Sequence, residues 1–220
     1  MSLSTTQRSH AALSLPKRGQ FFLFGPEMVS GARSYAATFE NIQQLLPPSR
    51  HILRPETGGF PPLPESPRLT FNECKGPLPR DLEGEFSGYW LVSDRLRQVM
   101  LAVDGDAFEF VECDTRWADG SKGPVHFLCD VVRELDALNE DTSRLRIKVS
   151  EDYARGKFYS LGGGARLAFR PGVLGCAHVF LTPFNPFAFC DASFRDAVRA
   201  AGVPIDPGRS GIWFVDAADI

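Results

Sequence analysis

The side chains best suited to bond chemistry are the cysteines and histidines, and two pairs stand close together: His126 with Cys129, and Cys176 with His178. Residues two apart on a β-strand share a face, so Cys176 and His178 are spaced to touch as a Cys–His nucleophile pair. A working pair also needs an orienting third group and an oxyanion hole, and no motif for either accompanies these residues. The five cysteines, Cys74, Cys113, Cys129, Cys176 and Cys190, contain no C-x-x-C spacing, and no two of His10, His51, His126 and His178 fall within one helical turn. The spacing of a zinc site or a disulfide framework is therefore missing. The expectation is reduced, mostly buried thiols, with no metal, no cofactor and no catalytic residue.

Other chemistry-bearing patterns read as structure. Gly162-Gly163-Gly164 is followed by Ala165-Arg166-Leu167-Ala168, not by the Lys-Ser/Thr and helix of a phosphate loop, so it predicts a turn. There is no G-x-S-x-G elbow. Glu83 and Glu85, like Asp104 and Asp106, stand beside glycine and read as solvated turn charges. Trp90 and Trp213 sit among apolar neighbours and read as core. Trp117, in the charged stretch DTRWADGSKG (114–123), is either an interface anchor or folds back onto the core.

The elements that must position these residues follow from composition and period. The chain has 220 residues, 43% hydrophobic and 23% charged, with net charge −3, which suits a globular protein without the basic field of a nucleic-acid binder. Eighteen Phe and 17 Pro predict short elements and many connections. No apolar run reaches signal-peptide or membrane-spanning length, so a cytoplasmic protein is expected. Residues 1–18 read as a flexible tail. Residues 19–67 read as a strand at 21–24, a helix at 34–46 with Tyr35, Phe39, Ile42 and Leu46 on one stripe, and a Pro-rich connection. Residues 68–220 read as the main domain.

Within that domain, Tyr89–Val92 predicts a strand, Ser93 a helix cap, Leu96, Val99, Met100 and Val103 a helical stripe, and Phe108 and Phe110 a returning strand. Residues 187–216 repeat the plan. Asp191 stands where Ser93 stood, the stripe is Phe194, Ala197, Val198 and Ala201, Gly202 ends the helix, and Ile212–Val215 closes. Between the units, 127–141 has a helix-like stripe (Val131, Leu135, Leu138), with Asp130 placed to cap it or start its first turn. Leu145, Ile147 and Val149 alternate like a half-buried strand, and Leu167, Phe169, Val179 and Leu181 suggest more strands. The class predicted is α+β, largely antiparallel with short helices, as two similar strand–helix–strand units flanking a central helix–strand segment.

Three of these segments carry a family resemblance. YWLVSDRLRQVM (89–100), HFLCDVVRELDALNEDTSRL (126–145) and FAFCDASFRDAVRAAGVPIDPGRSGIWFVD (187–216) resemble the strand-then-helix signature, the central segment and the closing segment of immunity protein family 11, from bacterial polymorphic toxin systems, with FFLF (21–24) in the place of its opening strand. The resemblance covers 65–217 well and 20–64 poorly, with Asn139 near a position where Asp is expected and the 47–67 and 202–211 stretches expanded. It implies a non-enzymatic cytoplasmic protein that binds and neutralises a cognate protein toxin; the spread of Arg and Lys and the short apolar runs separately point away from a nucleic-acid or membrane partner. If that toxin is a basic nuclease, acidic residues would speed encounter, and Asp81, Glu83, Glu85, Asp114 and Asp119 around Trp117 are the candidates. The rival readings are a hydrolase with a dispersed Cys/His or carboxylate site, and a scaffold that acts without a toxin.

Overall fold

A computed structural model of the chain describes residues 15–27, 36–41, 45, 55, 58–86 and 88–220. In chain order the elements are β1 (Phe21–Pro26), β2 (Ala37–Phe39), β3 (Arg68–Phe71), β4 (Leu82–Phe86), β5 (Tyr89–Ser93), α1 (Asp94–Asp104), β6 (Phe108–Glu112), β7 (Asp114–Trp117), β8 (His126–Val131), β9 (Arg146–Val149), β10 (Lys157–Ser160), α2 (Pro171–Leu174), β11 (Val179–Thr182), β12 (Asn185–Asp191), α3 (Ala192–Ala200), α4 (Pro207–Ser210) and β13 (Ile212–Asp216). The protein is α+β, as its sequence predicts.

Two sheets of identical plan form the body, with strand orders β4-β5-β8-β6 and β11-β12-β1-β13. In each, a hairpin leads through a capped helix to a strand parallel to the hairpin's second strand, and one antiparallel strand lies between them. The proposed repeat is therefore present in the topology. It extends to backbone hydrogen bonds. Ser93 N–H donates to Asp81 O as Asp191 N–H donates to His178 O, each at 3.0 Å; Val132 N–H donates to Ala107 O (2.8 Å) as Glu27 N–H does to Gly211 O (2.7 Å); and Cys113 N–H donates to His126 O (3.0 Å) as Ala217 N–H does to Phe21 O (2.9 Å). The middle strand comes from opposite directions in the chain. β8 follows its unit, whereas β1 precedes its own by more than 150 residues.

Cap chemistry sets where the helices start. The Ser93 hydroxyl oxygen accepts from Leu96 N–H, and an Asp191 carboxylate oxygen accepts from Phe194 N–H. Each start places its stripe inward. Leu96, Val99 and Met100 of α1 and Phe194 and Val198 of α3 are buried in one cluster with Phe22, Phe24, Phe108, Phe127 and Ile212 from both sheets. Ala197 is half-buried there, while Ala201, expected on the stripe, lies exposed beyond the helix end. The outer face of each sheet has its own cover. Tyr89, Leu91 and Leu128 pack against Leu69 and Phe71 of the sheet β2-β3-β7. Leu23, Tyr159, Phe169, Phe180 and Phe189 pack beneath the segment that carries β9 and β10.

Several expectations are corrected. Residues 126–131 are a strand and 132–141 contain no helix. All six residues of β8 are buried, since it is central in its sheet and covered on both faces, so it lacks the alternation that marks a half-exposed strand. Asp130 caps nothing there; its carboxylate accepts from Gly59 N–H at 2.7 Å. Within the predicted helix 34–46, Ala37–Phe39 form β2, drawn into a ladder opposite Leu69–Phe71; Tyr35, Ile42 and Leu46 lie outside the described residues. Leu167 and Phe169 belong to no strand, and Phe169 pairs by a single bridge to Leu138. Val149 is exposed rather than half-buried because it stands at the outer end of β9. Trp213 is 37% exposed because β13 is an edge strand, and Trp90 is half-buried against Phe24. Cys74 and Cys176 are exposed, whereas Cys113, Cys129 and Cys190 are buried.

A partly buried ion pair ties the halves together. Asp104, at the end of α1, takes Arg133 and accepts from the N–H groups of His178 (2.7 Å) and Val179 (2.9 Å) at the start of β11. Burial works against its charge, but these donors outweigh it and hold its pKa below the ordinary carboxylate value. A depressed folded pKa stabilises above the unfolded value, about 3.9, and that contribution is lost as pH falls through the lower folded value. Asp104→Asn is therefore expected to cost about 2–3 kcal/mol at pH 7 and to flatten the fall in stability below about pH 4. Urea unfolding from pH 3 to pH 7 measures both.

Candidate partner-binding site

The predicted chemical pairs come apart in the fold. Cys176 lies in a turn before β11, not on a strand, so the shared-face spacing does not apply. The His178 Nδ1 instead stands 2.8 Å from the Asp191 carboxylate. His126 and Cys129 are an odd number of residues apart on β8 and so point to opposite faces. His126 Nδ1 lies 3.0 Å from Pro124 O, and burial lowers its pKa. Burial pushes the Cys129 and Cys190 thiols well up. Among the described residues, no group of three or more His, Cys, Asp or Glu is placed to hold a metal ion.

Of the acidic candidates, Asp81 and Glu83 are spent internally. Asp81, 7% exposed, accepts from Ser93 Oγ at 2.7 Å and pairs with Arg95 at 2.6 Å. Glu83, 1% exposed, receives two hydrogen bonds from the Arg80 guanidinium, at 2.8 and 2.9 Å. The expectation of solvated loop charges fails at these two positions because each guanidinium lies within reach of its carboxylate. Glu85 lies in β4, and its side chain is outside the described residues.

Asp114, Trp117 and Asp119 are brought together at the end of the first half. The chain turns sharply after β6, and β7 runs parallel to β3, with Asp114 opposite Arg68 and Trp117 opposite Phe71. Trp117 thus ends a strand rather than sitting in a loop, and its half-buried ring lies 5.9 Å from that of Phe71. Asp119 folds the following turn by accepting from Ser121 N–H (2.9 Å) and Oγ (2.6 Å), and these bonds lower its pKa. Asp114 is half-exposed and holds Arg116 at 3.0 Å.

This corner opens into a cleft of about 500 Å³ lined by Glu112, Cys113, Asp114, Arg116 and Lys122 among others. Ser66 is shared with a second cleft of about 550 Å³, walled by Phe60–Leu63, Glu65, Glu109 and Val111. The Pro-rich connection forms that second wall. It is seated where Tyr89 donates to Gly59 O at 3.1 Å and stacks on Phe60 at 4.3 Å. Burial pushes the Cys113 thiol up to about 12, so at neutral pH the one sulfur lining the first cleft stays protonated. Glu65, Glu109 and Glu112 were not among the candidates. A charge count would have found two of them, since six carboxylates and one arginine lie between Asp104 and Asp119.

The fold and this corner together define an α+β protein that presents an open cleft lined by Glu112, Asp114, Arg116 and Lys122, with Trp117 next to Arg116 in the chain. The chain matches the immunity protein family (Imm11) over residues 20–219, and it belongs to that family. The match includes the 20–64 stretch, where the resemblance was weakest. No match was found among curated proteins. No helix among the described residues is long and apolar enough to cross a membrane.

Proposed function

We propose that this protein binds a cognate bacterial toxin in the cytoplasm and blocks it by covering its active surface, without catalysis of its own. The family supports an immunity-type role. The observation that carries the mechanism is a set of four carboxylates across two adjoining clefts, Glu112 and Asp114 in the first and Glu65 and Glu109 in the second, against Arg116 and Lys122, with Trp117 next to Arg116 in the chain. Such a surface suits a basic partner, for which a nuclease groove is the natural case: charge complementarity raises the encounter rate and a half-buried aromatic supplies contact area.

The neighbouring gene's product, co-expressed with this chain, is expected to co-purify with it, and deleting this gene is expected to sensitise cells to that product. Glu112→Lys with Asp114→Lys is expected to weaken the complex at least tenfold, mostly through a slower on-rate, while the midpoint of thermal unfolding stays within about 2 °C. An unchanged affinity would move the contact surface elsewhere. No complex and no sensitisation would remove the function.

A further inference from the structure

The cover on the other sheet carries the opposite charge. Between Arg144 and Arg170 the chain has seven basic residues and two acidic ones. Arg155, Lys157 and Arg170 are each held by a carboxylate, of Glu134, Glu140 and Asp136. Arg144, Arg146, Lys148 and Arg166 are exposed, and among the described residues none of them pairs with a carboxylate. Strand geometry lines them up. Leu145 and Ile147 turn inward against the second outer cluster, so Arg144, Arg146 and Lys148 share the outer face at about 6.7 Å intervals. Arg166 stands directly opposite Arg144, their backbones exchanging hydrogen bonds of 2.7 and 2.8 Å. Like charges directly opposed on a ladder cost stability. Here no carboxylate among the described residues pairs with either arginine, which leaves both side chains free for an anionic partner.

We propose that this row is a second docking surface, whose partner is a protein presenting a compact acidic patch. It is separate from the acidic cleft and stands whether or not the cleft binds a toxin. An acidic protein patch fits better than nucleic acid for two reasons. Four cations reach only a short stretch of anion, whereas nucleic-acid affinity grows with every phosphate neutralised. The chain's net charge of −3 repels a long polyanion, while a small patch within a Debye length, about 8–10 Å, feels mainly the row.

The probe is a fluorescein-labelled deca-glutamate peptide, titrated into the full chain at 25 mM and 200 mM salt beside a 20-nucleotide single-stranded DNA. Arg146→Glu with Lys148→Glu is compared with Arg199→Glu with Arg209→Glu, which changes net charge equally at exposed positions elsewhere. The expected result is salt-sensitive peptide binding that the row variant weakens at least tenfold and the control less than threefold. No peptide binding at 25 mM salt, equal losses in both variants, or tighter binding of DNA than of peptide would each overturn the proposal. So would binding replaced by self-association of the chain in sedimentation velocity. Circular dichroism of both variants checks that each is folded.

Discussion

Arg80→Met is expected to destabilise the protein by about 3–5 kcal/mol, because it strands a buried carboxylate. The Arg80 side chain is 10% exposed and that of Glu83 is 2% exposed. The guanidinium spans three elements. It meets Glu83 through two hydrogen bonds, Glu27 beyond β1, and Pro207 O at the start of α4 at 2.8 Å. Its pKa is raised, chiefly by the hydrogen bond to Glu83 acting against burial, so it is cationic at every accessible pH. Removing the cation takes the counter-ion from the buried Glu83 carboxylate, which costs far more than the pair contributes. Arg80→Met with Glu83→Leu is therefore expected to recover at least half of the loss, since an apolar pair of similar volume needs no counter-ion. Urea denaturation of the two variants decides the matter: a double variant no more stable than the single one would mean that the lost ties to Glu27 and Pro207, not the stranded carboxylate, account for the loss.

Phe194→Ala is expected to cost about 3–5 kcal/mol, the usual range for truncating a fully enclosed phenylalanine. The ring is 0% exposed and lies 5.0 Å from Phe24 on β1 and 6.2 Å from Phe108 on β6. It therefore touches both sheets at once. The loss should appear equally in signals from Trp90, in contact with the shared core, and Trp213, on the edge strand of the second sheet. Single-tryptophan variants monitored by fluorescence during urea unfolding test this. Coincident transitions, shifted together by Phe194→Ala, are the expected result; separate midpoints would mean that the two similar sheets unfold as separate units.

The outcome at individual elements shows what was legible and why. Ser93 and Asp191 were readable as caps because a cap is a contact between neighbours in the chain. The same holds for FFLF at 21–24 and for the closing strand, both short apolar runs bounded by turn residues. The stretch 127–141 misled for a related reason. A strand covered on both faces carries no period of its own, and Val131, Leu135 and Leu138 matched a helical spacing that the chain does not use. Glu83 was assigned to solvent because a carboxylate beside glycine is usually solvated, and Asp81 because a loop position was expected; the paired burial that overrides both depends on which guanidinium packs alongside.

The functional surface divides along the same line. The carboxylate-rich run from Asp104 to Asp119 and the basic run from Arg144 to Arg170 are properties of the chain as written, as are the two capped helices and the register that aligns Ser93 with Asp191. Tertiary structure alone decided which charges stay free. It closed Asp81 and Glu83 into ion pairs, left Arg144, Arg146, Lys148 and Arg166 without any among the described residues, and brought Ser66, some fifty residues earlier, into the wall of the cleft that Asp114 lines. It also threaded β1 and β8 from opposite directions into equivalent places. The physical reason is range: caps, stripes and turns are settled within a few residues, whereas burial and charge pairing are settled by whichever distant segment arrives alongside.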